Sequence, residues 1–190
     1  YCADWRWLND PLEGLCGFTF HPHNLDEITK RKRAIIQSVL TYKICSLSET
    51  YNSHLLWAHY AGGFDGVAIE VELPDDDLNI SKVKPKDVYA QIDLRKYADI
   101  DEAAAARSIL FSKYKEWEYE KEVRILNTEE FYILTSPVKR VIAGPRMSKS
   151  LFEVLNCVCT NLKITLFRLG IDKPGFELEE IKPFISFEPN

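Results

Sequence analysis

Apolar residues at Ile28, Ile35, Ile36, Val39 and Leu40 recur at helical spacing, so an amphipathic helix is predicted from Asn24 to about Leu40. Asn24 is placed to cap it, with Asp26 and Glu27 in the first turn, where the helix dipole favours acids. Ahead of it, Trp5–Gly17 reads as loop, because Asn9-Asp10-Pro11 and Gly14 are turn formers. Tyr42–Leu47 alternates and reads as a strand. Ser53 caps a short helix, His54–Ala61, which Gly62-Gly63 ends. Gly66–Leu73 is the next strand, with Val67, Ile69 and Val71 on one face, and Pro74 with three aspartates follows as an exposed loop.

Asp87–Ile92 predicts another strand, and Asp99 or Asp101 caps a helix reaching about Trp117. Glu118–Leu126 reads as a strand loaded with charge, and Lys139–Ala143 as a short apolar one that ends at Gly144-Pro145. Ser148 caps a helix to about Asn161, and Lys163–Leu169 is the strand after it. Strand, helix and strand in that order predict a right-handed crossover between parallel strands. Phe176–Phe187 closes the chain as an edge hairpin limited by Pro183. With helices and strands mixed but not strictly alternating, the expectation is an α+β fold. A mixed central sheet of about five to seven strands, flanked by helices, is expected in a single domain over 1–190.

Composition supports a packed core: 46% of the 190 residues are hydrophobic and 28% are charged. Apolar runs fall far short of the roughly 20 residues a membrane helix needs, and no leader peptide opens the chain, so no membrane partner is expected. The chain opens on Tyr1, and a further N-terminal segment is expected ahead of it. A net charge of −5 argues against extended binding to nucleic-acid backbone. The run Lys30-Arg31-Lys32-Arg33 reads as the solvated face of a helix. Cys2, Cys16, Cys45, Cys157 and Cys159 show no zinc spacing and suit reduced thiols in the cytoplasm. His21-Pro22-His23 has no acidic or cysteine ligand beside it and reads as a turn.

The segment Trp117–Arg124 carries the most chemistry. On a strand, Glu118, Glu120, Glu122 and Arg124 would point the same way, and acids so placed repel unless a cation sits among them. Arg124 can pair with one of them. The remaining acids mark either a solvent-exposed edge strand or a site. In the Trp57–Tyr60 segment, His59 and Tyr60 are either structural or face the acidic strand across a cleft, with Gly62-Gly63 allowing a ligand to approach. Asp10 and Glu13 are turn residues or rim that cleft. Together with Glu120 and Glu122 they could present hard oxygen ligands to a divalent cation.

Three segments, and a shorter fourth after them, resemble a bacterial domain-of-unknown-function family, numbered twenty-nine seventy-one. Its N-D-P-F-E element is matched by Asn9-Asp10-Pro11-Leu12-Glu13, with Leu in place of Phe. Its M-W-x-H-Y-A element is matched by Leu56-Trp57-Ala58-His59-Tyr60-Ala61, leading on to Gly66. Its W-x-Y-E-x-E-x-R element is matched at every fixed position by Trp117–Arg124, and its V-I-x-G by Val141–Gly144. The resemblance implies an extra strand before Asn9 and a role in host–phage conflict, but no settled activity.

A weaker similarity is to ADP-ribosyltransferases, whose S-x-S and E-x-E elements Ser46-Leu47-Ser48 and Glu120-Lys121-Glu122 follow in order. It implies NAD as substrate, a small-molecule nucleotide. Glu122 would then stabilise the charge that develops on the ribose, and Glu120 would orient the acceptor. Trp57 or Tyr60 would stack on nicotinamide, and Ser46, Ser48, Asp10, Glu13 and Arg124 would contribute to binding. Two other readings stay open. One is a metal-dependent nuclease or phosphoesterase built on the acidic cluster. The other is a non-enzymatic adaptor whose acidic strand meets a partner's basic face.

Overall fold

The computed structural model describes residues 1–20, 25–95, 101–172 and 175–181. The expected Asn24 cap, the His21-Pro22-His23 turn, Asp99 and Pro183 lie outside them. The α+β class holds, and the chain divides into two compact units. The first comprises residues 1–49 and 75–133, and the second 50–74 and 134–190.

In the first unit, strands β1 (Ala3–Asp4) and β3 (Lys43–Ser48) pair antiparallel. β3 then pairs with β9 (Glu122–Asn127), and β9 with β5 (Ile80–Lys82), giving the order β1-β3-β9-β5. Two parallel pairs join β2 (Cys16–Thr19) to β7 (Ala90–Asp93) and β6 (Lys84–Lys86) to β8 (Ser112–Tyr114). Helices α1 (Leu25–Thr41) and α3 (Glu102–Leu110) close its core. Ile35, Val39, Ile44, Ile92, Ile109 and Leu110 are buried there. Of the expected α1 stripe, Ile28 packs against this core, while Ile36 and Leu40 stay exposed.

Three expectations for this unit are corrected. β2 lies where loop was expected, because its edge is satisfied by β7, 74 positions later, a pairing no local pattern announces. α3 ends at Leu110 rather than Trp117, where Phe111 donates back to the Arg107 carbonyl at 2.8 Å. The expected strand Glu118–Leu126 begins only at Glu122. Lys115–Glu120 form a 3-10 helix, and Lys121 takes φ 45°, left-handed backbone that breaks the two-residue alternation.

The second unit holds α2 (His54–Tyr60), β4 (Val67–Glu70), β10 (Arg140–Ala143), α4 (Lys149–Leu162), β11 (Thr165–Asp172) and β12 (Gly175–Ile181). Its sheet runs β12-β11-β10-β4, with β10 and β11 parallel and the other pairs antiparallel, so it is mixed. In place of one central sheet of about five to seven strands, however, the described strands form two sheets of four and two pairs. Ser53 and Ser148 cap α2 and α4 through their hydroxyls, as their positions predict. One face of the sheet carries Val141, Ala143 and Leu166 under Phe152, Leu155 and Cys159 of α4. The other carries Ile142 and Leu169 under Trp57 of α2.

Candidate functional site

The fixed positions of the acidic motif converge in the first unit around Arg124, whose side chain is wholly buried. The turn Asn9–Glu13 aims one partner at it. The Asp10 carboxylate accepts from Leu12 N at 2.9 Å, and the Asp10 carbonyl accepts from Glu13 N at 3.1 Å. This local hydrogen bonding is what Asp before Pro favours. Gly14 follows at φ 67°, with the Trp5 ring against its backbone, a place where no side chain fits.

Arg124 Nη1 donates to Glu13 Oε2 at 2.8 Å, and Nη2 to Glu13 Oε1. From its other edge, Nε donates to Glu122 Oε1 at 2.7 Å and Nη2 to Glu122 Oε2 at 3.0 Å. The fifth donor position is spent on the Leu110 carbonyl, at 2.5 Å. The guanidinium is therefore saturated by two forked pairs and a helix end.

Lys113, on β8, completes the cluster. Its ammonium donates to Glu120 at 2.6 Å and to Glu122 at 2.9 Å, lies 3.8 Å from Glu13, and stands 4.9 Å from the Trp117 ring centroid. Three carboxylates and two cations thus share one interior, each side chain at most 8% exposed. Among the described residues no buried side-chain nitrogen or oxygen lacks a partner.

Burial drives the protonation equilibria, and the ion pairs answer it. Burial raises the Glu13 carboxyl, and Arg124 and Lys113 only partly pull it back. Burial also pushes Glu122 up, but Arg124, Lys113 and the Ser46 hydroxyl outweigh it and hold Glu122 below the usual range. For Lys113 and Arg124 burial opposes the charge, and the surrounding carboxylates more than restore it. Glu122 is therefore ionised at neutral pH, and Glu13 takes up a proton more readily than Glu122.

The cluster gathers Glu120, Glu122, Glu13 and Arg124 from the expected site residues. Ser46 and Ser48 lie opposite Arg124 and Glu122 on β3 and are exposed. Ser48 Oγ donates to the Glu120 carbonyl at 2.7 Å. Asp10 is buried beside its own turn and reaches Arg124 only by positioning Glu13. Lys113 is the residue missed. The surplus of acids over Arg124 alone was the signal that a second cation had to be present.

No family model matches this chain. No curated protein and no solved structure matches it either.

The Trp57–Tyr60 segment belongs to the second unit and the acidic cluster to the first. Trp57 is 3% exposed, packs on Ile142 and Leu169, and donates from Nε1 to the Tyr51 carbonyl at 2.7 Å. Both its ring and its polar handle are in use, which leaves nothing to stack on nicotinamide. His59 and Tyr60 are exposed neighbours in edge-to-face contact. Gly62 and Gly63 take positive φ to end α2, so their freedom serves the turn.

Two readings of the acidic strand are corrected. It is no exposed edge, since β9 is interior between β3 and β5, and so its carboxylates are not offered to a partner's basic face. The position a divalent cation would take among Glu13, Glu120 and Glu122 is filled by Lys113 and Arg124. Among the described residues no group of three or more His, Cys, Asp or Glu side chains is arranged to hold a metal. A cavity of about 520 Å³ in the first unit, between Asp75–Leu78, Lys84, Arg107 and Phe111, includes none of the cluster. No described helix is long and apolar enough to cross a membrane.

Proposed function

We propose that this protein is a non-enzymatic binding or adaptor module that meets its partner elsewhere than on the acidic strand, and that its acid-rich motif is an internal charge hub. The observation that carries the reading is the saturation of Glu13, Glu120 and Glu122 by Arg124 and Lys113 inside the first unit. A carboxylate that stabilises a developing charge has to face a space where the reacting atoms fit. These carboxylates face their own cations instead. A buried network of this kind defines one packing of its surroundings, because any alternative strands a charge. The motif resemblance supports placing the chain beside the uncharacterised family, and a role in host–phage conflict follows from that resemblance alone.

One observation favours the ADP-ribosyl-transferring reading as a second. The S-x-S and E-x-E segments lie side by side, with the Ser46 hydroxyl bonded to an ionised Glu122 and both serines exposed.

Nicotinamide release from NAD separates the two readings. It is measured with Mg²⁺ and cell lysate as acceptor source, beside Glu122→Gln. The adaptor reading expects no release above the blank and a loss of stability in the variant. Release by the parent chain that vanishes in a variant still folded by circular dichroism overturns it.

A further inference from the structure

α4 shows its sheet only half of its apolar surface. Phe152, Leu155 and Cys159 face the sheet, whereas Leu151, Val154, Val158 and Leu162 are 49%, 60%, 47% and 63% exposed. At 3.6 residues per turn these four fall within an arc of roughly 80°, a stripe about 16 Å long next to the buried face.

The sheet leaves a matching strip open. In antiparallel β4 and β10, Ile69 lies opposite Val141 and Val67 opposite Ala143, and opposed residues share a face. Val141 and Ala143 face α4, so Val67 and Ile69 do too, yet they are 38% and 55% exposed. Val67 and Ile69 do share one face, as their alternation predicts, and the helix does not reach it.

Chirality joins the two strips. β10, α4 and β11 form a parallel β–α–β unit, and such crossovers are right-handed. With α4 crossing in front of β10 and β11 in that sense, the arc holding Leu151, Val154, Val158 and Leu162 turns toward β4. The stripe is then one wall of an apolar groove, and Val67 and Ile69 are its floor.

We infer that this groove is the contact through which two copies of the chain associate. At their exposures the six side chains leave roughly 500 Å² of apolar surface, the size of the largest patches on monomers. That is also the apolar share of a standard interface of about 800 Å² per partner. The outer shoulder of α4 beyond the stripe carries Ser150, Cys157 and Asn161, with no charge. Lys149 and Glu153 pair at 3.9 Å on the opposite flank. On the α4 side the rim carries no charge, and at the β4 end Lys139 is paired with Glu72 at 2.5 Å. A rim without net charge selects no partner of opposite sign and meets an identical surface without net repulsion, as an isologous contact requires.

Sedimentation of the full chain from micromolar to several hundred micromolar tests this. A monomer–dimer equilibrium is expected, and Val154→Asp and Ile69→Asp should each weaken it at least tenfold. Both positions are solvent-exposed, so the far-UV spectrum and melting temperature should stay put. Val158→Ser serves as a milder variant should an aspartate disturb folding. A chain that stays monomeric throughout, or a dimer indifferent to all three folded variants, overturns the proposal. NAD turnover does not enter this readout, so its failure and that of the adaptor reading are distinguishable.

Discussion

Arg124 and Glu13 meet through both ends of a guanidinium and both oxygens of a carboxylate, although 111 residues separate them in the chain. This pair ties the opening turn to the central strand β9, with no solvent between. Removing one partner strands the other. Arg124→Met should leave Glu13 and Glu122 buried without their main counter-charge and cost about 3–5 kcal/mol. Arg124→Lys keeps the charge but loses the fork, and should recover only part of that. Urea midpoints followed by circular dichroism check both, and a loss below about 1 kcal/mol in Arg124→Met would contradict a saturated internal hub.

The two carboxylates on Arg124 should pull stability in opposite directions with pH. Glu122 is depressed below its ordinary value of 4.5, so its contribution is present above that pH and is lost as pH falls through the lower folded value. Glu13 is raised above 4.5 by burial, so the folded state takes up its proton first. Acidification from neutrality down to 4.5 should therefore recover stability at Glu13. Further acidification should lose it at Glu122. In Glu13→Gln the recovery above 4.5 should vanish, and in Glu122→Gln the loss below it should flatten. Unfolding midpoints from pH 7.5 to 3 test each limb, and a Glu13→Gln profile parallel to the parent's would refute the assignment.

Much of the second unit was legible in the sequence because its signals are local. Ser53 and Ser148 announce helices that begin one residue later, and the apolar runs at 139–143 and 163–169 become the parallel pair. The first unit was harder to read. Its β2 is stabilised by β7 and its β6 by β8, partners a window on the sequence never compares. The acidic motif misled for a different reason. Glu118, Glu120 and Glu122 alternate like a strand, but a 3-10 turn and a left-handed Lys121 separate Glu120 from Glu122 in the backbone. Lys113 then brings the two carboxylates together again. Residue type told that a cation was required, and only the fold told which one.

Gly144, last of the Val141–Gly144 element, is required for space rather than for an unusual φ. A methyl group there would lie 2.2 Å from the Phe64 carbonyl oxygen and 3.1 Å from that of Gly66, both backbone atoms that cannot swing aside. The same backbone is held by Gly144 N on Gly66 O at 2.9 Å and Arg146 N on Phe64 O at 3.1 Å. Gly144→Ala should therefore cost the upper part of the about 1–3 kcal/mol seen on overpacking. Gly63→Ala meets no atom within 4 Å but is strained by φ 66°, and should cost less, about 1 kcal/mol. Thermal melts of the two variants side by side decide the order, and equal shifts would remove the steric explanation.

Trp57 provides the test of whether the Leu56–Ala61 motif is there for the core or for a ligand. Its ring fills the space between α2 and the Ile142–Leu169 face of the sheet, and its N–H satisfies the Tyr51 carbonyl. Trp57→Ala removes both and should cost about 3–5 kcal/mol. Trp57→Phe keeps most of the packing but leaves that carbonyl without its donor, which should cost about 1–3 kcal/mol. A stacking residue would behave otherwise: Phe would restore function, and Ala would cost little stability because an exposed ring holds nothing up. Hydrogen exchange at the α2 amides, read beside the unfolding midpoint, tells these apart. Protection should fall in the order parent, Trp57→Phe, Trp57→Ala, and variants as protected as the parent would return Trp57 to the binding surface.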